Sequence, residues 1–310
     1  MPADVSYRKP DVSFVVETLN LRDAHDFTPL DTALGALSEQ TIDRSSCEII
    51  VVVDPVAEPE LPLHLAAKWP DVLILEVPSG THYYAMKNAG AVAARGAVIG
   101  YVDADCQAAP EWAESMCEAL QRSDEPPAFA VGAYDTPRSR TSWLVKAFLV
   151  TIFAHQVGRS ERRTDSIAAS NCAVLRDRIV SEPFREDPFF HGPDVEMVTR
   201  ILDVGGRVVL IPAARNIHDH EPGFASQHGR GVYWGYCFLR LRLEGSPAVK
   251  YATLFRRLGP LAPLAVMPAK CAIDLRNLIK RRRDLEAGAA DTLAVAGLLL
   301  ATAGVRAITL

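Results

Sequence analysis

The chain has 310 residues, of which 49% are hydrophobic and 23% charged, and its formal net charge is −5. This composition excludes a disordered chain, a collagen and a disulfide-stabilised miniprotein, and the length allows one large domain or two ordinary ones. The charge is unevenly distributed, because residues 236–310 carry a net charge of +7 and residues 1–235 a net charge of −12. An acidic body with a basic tail argues against nucleic acid as the main partner.

Short β-branched segments alternate with helical patterns in the first half of the chain. The segments are residues 12–16, 48–53, 72–77, 97–102 and 129–131. Nearly all-apolar strands separated by helices are typical of a parallel sheet covered on both faces, so the sequence predicts an α/β fold. Further along, the pattern predicts helices over 142–157 and 193–204, an extended segment over 166–175 and a strand over 207–211.

Acidic side chains follow three of the predicted strands. Glu17 follows the first strand, Asp54 the second, and Asp103 and Asp105 the fourth. Ligands of such sheets bind beyond the carboxyl ends of the strands. Two carboxylates there can hold a hard divalent cation that keeps positions open for substrate phosphates. A solvated turn is the alternative interpretation of the Asp103–Asp105 pair.

Taken in order, these segments resemble family 2 glycosyltransferases with the GT-A fold. The matching segments are Glu17-Thr18-Leu19-Asn20, Asp54, Lys87-Asn88-Ala89-Gly90, Asp103-Ala104-Asp105 and Pro110-Glu111-Trp112. The resemblance implies an inverting, non-processive transferase. Its GT-A domain would span residues 1–235, with a nucleotide-sugar half at about 12–135 and an acceptor half at about 136–235. A C-terminal helical region would follow over 236–310.

The resemblance also implies roles for individual residues. Those expected to contact the nucleotide sugar are Thr18, Asn20, Asp54, Lys87, Asp103 and Arg230. Asn171 would contact the sugar or the acceptor, Asp194 would be the catalytic base, and Asp105 and His218 would bind Mn²⁺ or Mg²⁺. Structural roles are the open alternatives: a helix cap for Asp194, a turn for Asn171 and a helix-face cation for Arg230.

The expected reaction moves a sugar from a nucleoside-diphosphate sugar to an unknown acceptor hydroxyl by single displacement. A UDP-sugar is the favoured donor, although Glu17 and Lys87 replace the Pro and Arg usual in the family, which leaves the nucleotide open. Two other functions compete with this one. They are a sugar-nucleotide nucleotidyltransferase and a catalytically idle, membrane-associated protein that only binds a nucleotide sugar.

The basic tail predicts an interfacial anchor held by anionic lipid. Its cations are Arg276, Lys280, Arg281, Arg282 and Arg283, and the uncharged segment 292–305 is too short to span a bilayer. A helical cap on the domain and a homodimer contact are the alternatives. The first 13 residues lack an apolar stretch of signal-peptide length and the six cysteines are scattered, so we expect a cytoplasmic protein, peripheral on the inner face of the membrane.

Overall fold

The computed structural model describes residues 11–21, 26–122, 124–135, 143–186, 192–218 and 257–309. Within these residues, nine strands form one sheet. They are β1 (Val12–Glu17), β2 (Cys47–Val53), β3 (Leu73–Glu76), β4 (Val98–Val102), β5 (Cys106–Ala108), β6 (Phe129–Asp135), β7 (Arg162–Thr164), β8 (Asn171–Leu175) and β9 (Val208–His218). Each of the five segments predicted in the first half is one of these strands.

Nine α-helices accompany the sheet in the described part of the chain. They are α1 (Thr28–Ser38), α2 (Leu61–Lys68), α3 (Tyr83–Ala93), α4 (Trp112–Leu120), α5 (Trp143–Ile152), α6 (Arg176–Ser181), α7 (Pro193–Asp203), α8 (Ala262–Arg281) and α9 (Ala289–Thr309). The helices predicted over 142–157 and 193–204 correspond to α5 and α7. In α7, Pro193 lies in the first turn, where its missing N–H costs no helical hydrogen bond.

The strands lie in the order β3, β2, β1, β4, β8, β6, β9, β5, and β7 pairs with β9. Strands β1 to β4 are parallel to one another, and β6 is parallel to β9. Because β8 is antiparallel to both β4 and β6, these two groups share one direction. Six of the nine strands therefore end at the same edge, which confirms the predicted, mostly parallel α/β sheet.

Both faces of this sheet are covered, as near-continuous apolar strands require. Along β1, Phe14 and Val16 belong to one buried cluster and Val15 to the other. Residues of α1, α2, α4 and α5 pack in the first cluster, and residues of α3, α6 and α7 pack in the second. The sheet edge that holds the strand ends is thus supported from two sides.

The C-terminal helices α8 and α9 pack on the sheet domain through α5. Leu278 of α8 and Val295 of α9 are buried in the same cluster as Phe148 of α5. Lys146 of α5 is almost fully buried, and its Nζ donates to Asp291 Oδ2 at 2.5 Å and to the Glu286 carbonyl at 3.0 Å. The prolines in this region do not end the helix, since α8 continues through Pro268.

We find no helix in the described residues that is long and apolar enough to cross a membrane.

Candidate active site

The predicted site residues gather at the edge where the parallel strands end. Thr18 follows β1, Asp54 follows β2 and Asp103 follows β4, and all three are buried. Because β1 lies between β2 and β4, these three residues follow adjacent strands. His218 ends β9, which pairs with β5 directly after Asp105. Residues far apart in the sequence therefore meet at one edge.

Asp103 is the centre of a buried polar cluster. Its Oδ1 accepts hydrogen bonds from Lys87 Nζ at 2.7 Å and the Tyr83 hydroxyl at 2.9 Å, and its Oδ2 accepts one from Asn20 Nδ2 at 2.9 Å. Lys87 is fully buried. Burial by itself lowers the pKa of Lys87, but the carboxyl groups of Asp103 and Glu17 outweigh it and raise that pKa. Lys87 is therefore a cation that holds Asp103 in place.

Glu17, which stands where the family has Pro, completes this cluster at the end of β1. It accepts hydrogen bonds from the Leu19 backbone amide at 2.8 Å and from Asn20 Nδ2 at 3.3 Å. Burial, followed by the negative charge of Asp103, raises the pKa of Glu17 well above its ordinary value. Glu17 therefore holds its proton more readily than an exposed glutamate does. The ammonium of Lys87 contacts Asp103 here, and its contact with a donor nucleotide stays a prediction.

Thr18 and Asp54 organise the loops beside this cluster. The Thr18 hydroxyl donates to Glu58 Oε2 at 2.7 Å. Asp54 Oδ1 accepts from two backbone amides of the loop after β2, both at 3.1 Å, and its Oδ2 accepts from the Gly80 amide at 3.0 Å. These bonds fix both loops at the sheet edge. Contact of Thr18 and Asp54 with a nucleotide base stays a prediction.

Asp105 and His218 form a candidate metal centre. Asp105 Oδ2 lies 3.8 Å from His218 Nδ1, and one ligand atom each from Asp105, Cys106 and His218 lie within 4.8 Å of one another. A carboxylate with an imidazole suits Mn²⁺. Burial, then the charges of Asp105 and Asp103, raises the pKa of Cys106 well above its ordinary value, and a thiol kept protonated is a poor ligand.

Aromatic rings fix the orientation of the His218 imidazole. The ring centroids of Tyr134, Phe148 and Phe153 lie 6.1, 5.9 and 5.8 Å from that of His218. The His218 side chain is only 8% exposed. A packed, restrained imidazole beside a carboxylate meets the geometric demand of a metal ligand, so the residues present fit a divalent cation.

Asp194 lies in the first turn of α7 and is buried. Its Oδ1 accepts a hydrogen bond from the Val195 amide at 2.9 Å, and the Tyr84 hydroxyl also bonds to it. Burial raises the pKa of Asp194 from 3.8 to about 6, and these hydrogen bonds limit the rise. A carboxylate with a pKa close to neutral is suited to general base catalysis.

Asn171, predicted to contact the acceptor, begins β8 and is fully buried. Its Oδ1 accepts a hydrogen bond from Trp112 Nε1 at 2.7 Å, and it packs against the backbone of Gly132. The described structure thus gives Asn171 a packing role, and contact with an acceptor stays a prediction. Arg230, predicted to contact the diphosphate, lies outside the described residues.

Three residues in contact with the site were missed by sequence reasoning. Tyr83 and Tyr84 reach Asp103 and Asp194, respectively, and Glu58 bonds to Thr18. The Tyr83 and Lys87 positions are four apart in a helical pattern, which places them on one helix face, so their pairing could have been inferred. Glu58 lies in an irregular loop and gives no comparable signal.

Comparison with solved structures identifies the fold. The chain is similar to GalNAc-T7 solved with UDP, GalNAc and Mn²⁺, at 15% identity and a TM-score of 0.53, over 81% of this chain and 54% of that chain. It is also similar to the mannosyltransferase PcManGT from Pyrobaculum calidifontis in complex with GDP-Man and Mn²⁺, at 18% identity and a TM-score of 0.57, over 97% of this chain and 88% of that one. The fold is therefore the GT-A fold of glycosyltransferases.

The family is given by the sequence itself. Residues 25–184, just over half of the chain, match the family described as glycosyl transferase family 2. The chain belongs to this family, which confirms the family predicted from the strand-end motifs. No curated protein sequence matches it. The chain spans about half the length of the GalNAc-T7 chain, 54%.

Proposed function

We propose that this glycosyltransferase moves a sugar from a nucleoside-diphosphate sugar, with a UDP-sugar favoured, to an acceptor hydroxyl with inversion. Asp105 and His218 hold the divalent metal, and Asp194 is the catalytic base. The observation that carries the proposal is the 3.8 Å approach of Asp105 Oδ2 to His218 Nδ1 at the edge where the strands end. Similar structures solved with Mn²⁺ and nucleotides support a divalent metal and a nucleotide-sugar donor.

The protein positions the donor through its strand-end side chains. Asp103, fixed by three donors including Lys87, lies two residues before the metal-binding Asp105 and supplies a rigid acceptor for a donor hydroxyl. Bound at Asp105 and His218, Mn²⁺ or Mg²⁺ would offset the negative charge that develops on the departing nucleoside diphosphate. We assign Arg230 to the same diphosphate, because a guanidinium offers phosphate a fork of donors.

Asp194 takes the proton of the acceptor hydroxyl as that oxygen attacks the anomeric carbon. Its carboxylate is kept in one orientation by the Val195 amide and the Tyr84 hydroxyl. Its pKa of about 6 leaves it mostly ionised at pH 7 while keeping it basic enough to accept a proton. A single base, with no second carboxylate assigned as a nucleophile, gives a one-step displacement and inverts the anomeric centre.

The test is turnover of a panel of UDP-, GDP- and other nucleotide sugars with Mn²⁺ and candidate hydroxyl acceptors. We expect wild type to release nucleoside diphosphate and to give a product of inverted anomeric configuration by NMR. Asp194→Asn should lose about 10²- to 10⁴-fold in kcat, while Glu196→Gln, a matched carboxyl change in the same helical turn, should keep its activity. Retention of configuration, or a fully active Asp194→Asn, contradicts the proposal.

We further propose that the exposed face of α8 binds an anionic membrane surface. Arg276 and Lys280 are exposed at a spacing of four residues, which places them on one face of α8, and Arg283 is exposed two residues after the helix ends. Ile273 and Ile279 are 48% and 66% exposed beside them. Cations beside exposed apolar side chains match the requirements of an interfacial helix.

Flotation with vesicles of phosphatidylserine and phosphatidylcholine tests this docking. We expect binding that weakens when Arg276, Lys280 and Arg283 are changed to Gln together. A triple change of Arg44, Arg95 and Arg122, exposed cations on the sheet domain, is the matched control and should leave binding intact. Equal binding by both variants, or a stable dimer that buries this face, contradicts membrane docking.

A further inference from the structure

A cavity of about 570 Å³ lies where the acceptor half meets the C-terminal helices. Its walls include His155, Arg162 and Leu202 on one side and Asn277 and Arg281 of α8 on the other. Leu202 is in the last turn of α7, whereas Asp194 is in the first, so the two ends lie about 12 Å apart along the helix. None of the residues that line the cavity is Asp105, His218 or Asp194.

Two guanidinium groups of the cavity wall, those of Arg162 and Arg281, approach the same point beside Gly158. A Cβ atom added to Gly158 would lie 2.5 Å from Arg162 Nη1 and 3.2 Å from Arg281 Nη1. Two atoms at these distances from one point are no more than about 6 Å apart. The absence of a side chain at residue 158 thus lets two cations approach each other.

The close approach of the Arg162 and Arg281 guanidinium groups is unfavourable unless an anion lies near them. Burial, then the positive charge of Arg281, lowers the pKa of Arg162, and Asp284 offsets only part of this effect. Asp284 Oδ2 is 3.7 Å from Arg281 Nη1, beyond hydrogen-bond distance. Asp165 also lines the cavity. His155 adds no charge at neutral pH, since burial lowers its pKa to about 4.

One hydrogen-bond donor of Arg162, its Nη1, is available to a ligand. Its Nη2 donates to the backbone carbonyls of His155 and Val157 at 2.8 and 3.0 Å. Its Nη1 is buried and has no hydrogen-bond partner within the part of the chain that the structure describes. A buried donor left unsatisfied costs free energy that a ligand acceptor would recover. The guanidinium is already oriented by its Nη2 bonds, so a ligand need not order it.

We propose that Arg162 and Arg281 bind a phosphate group in this cavity, as a second ligand site distinct from the donor site. Phosphate offers several charged oxygens, and guanidinium groups recognise it through parallel, charge-assisted hydrogen bonds. The cavity is larger than one phosphate, so the group belongs to a larger molecule such as a phosphorylated metabolite or a lipid headgroup. Binding would join the acceptor half to α8.

The first arm of the test measures soluble phosphates. The full-length protein is titrated calorimetrically with inorganic phosphate and glycerol 3-phosphate at constant ionic strength, with EDTA to remove metal from the donor site. We expect saturable binding by wild type and an apparent Kd raised at least about tenfold in Arg281→Gln. Arg282→Gln, an equal charge change at the adjacent exposed position, should leave Kd unchanged.

The second arm measures lipid headgroups by flotation with vesicles of phosphatidic acid in phosphatidylcholine. If soluble phosphates do not bind, but Arg281→Gln weakens vesicle binding more than Arg282→Gln does, the phosphate is that of a lipid and the proposal stands. No binding in either arm overturns it, as does binding that Arg281→Gln leaves intact. Because Arg162 holds two backbone carbonyls and its replacement could unfold the region, Arg281→Gln decides the outcome.

Discussion

Replacing Asp194 by Asn should make the protein more stable and much less active. The buried carboxyl has a pKa of about 6 instead of 3.8, because burial disfavours its charged form. This rise in pKa is equivalent to about 3 kcal/mol of lost stability once the group is ionised in the folded state. Asn has nearly the same shape, can accept the Val195 hydrogen bond, and carries no charge that burial would penalise.

The direction in which wild-type stability changes with pH follows from the raised pKa of Asp194. Between about pH 4 and pH 6 the folded protein holds the Asp194 proton more tightly than the unfolded chain does, so wild-type stability falls as pH rises. Below about pH 4 both states are protonated and the penalty is absent. The stability advantage of Asp194→Asn should therefore be small at pH 4 and reach about 3 kcal/mol above pH 7.

Urea unfolding followed by tryptophan fluorescence, at intervals from pH 4 to pH 8, measures this difference. Glu196→Gln is the control, since its carboxylate forms a partly exposed ion pair with Arg200 at 2.9 Å and such pairs contribute about 0 to 1 kcal/mol. In wild type, kcat should rise with pH through about 6. A variant no more stable than wild type at pH 8, or a stability difference independent of pH, refutes the reasoning.

Three further changes test the packing of the protein, the first two by chemical unfolding and the third by proteolysis. Lys87→Met should cost about 3 to 5 kcal/mol, because it leaves Asp103 as an uncompensated buried charge; a loss below 1 kcal/mol would show that the pair is not buried as described. Gly132→Ala should cost about 1 to 3 kcal/mol, since its Cβ would collide with Asn171; a neutral effect contradicts this contact. Lys146→Met should release α9, seen as faster proteolysis there; unchanged cleavage argues against the Lys146–Asp291 link.

The sheet could be predicted because its strands are short, β-branched and buried on both faces. The segment 12–16, for example, is apolar at nearly every position, and residues 14 and 15 are buried on opposite faces. The position of Asp103 and Asp105 at the end of a strand could be predicted in the same way. The pairing of Asp105 with His218 was predicted only through the family resemblance, because no local pattern relates residues more than a hundred positions apart.

The burial of Lys87 and its contact with Asp103 could not be predicted from the sequence. A lysine four residues after Tyr83 in an amphipathic pattern is compatible with an exposed cation as well as with a buried one. Its burial depends on the convergence of β1, β4 and α3, which brings Glu17 and Asp103 close to its ammonium. The packing of α8 and α9 on α5 was likewise one of several possible interpretations of the sequence. Apolar helices of this length are compatible with a cap on the domain, a dimer contact or a membrane surface.

The most direct test of the site is whether a nucleotide binds through a metal held by Asp105 and His218. The measurement is the melting temperature of the full-length protein with UDP or GDP, with and without Mn²⁺. We predict that one nucleotide raises it only when Mn²⁺ is present, and that His218→Gln abolishes the rise while His64→Gln on α2 retains it. A rise in melting temperature that is equal without Mn²⁺, or equal in His218→Gln, contradicts the assignment of Asp105 and His218 as metal ligands.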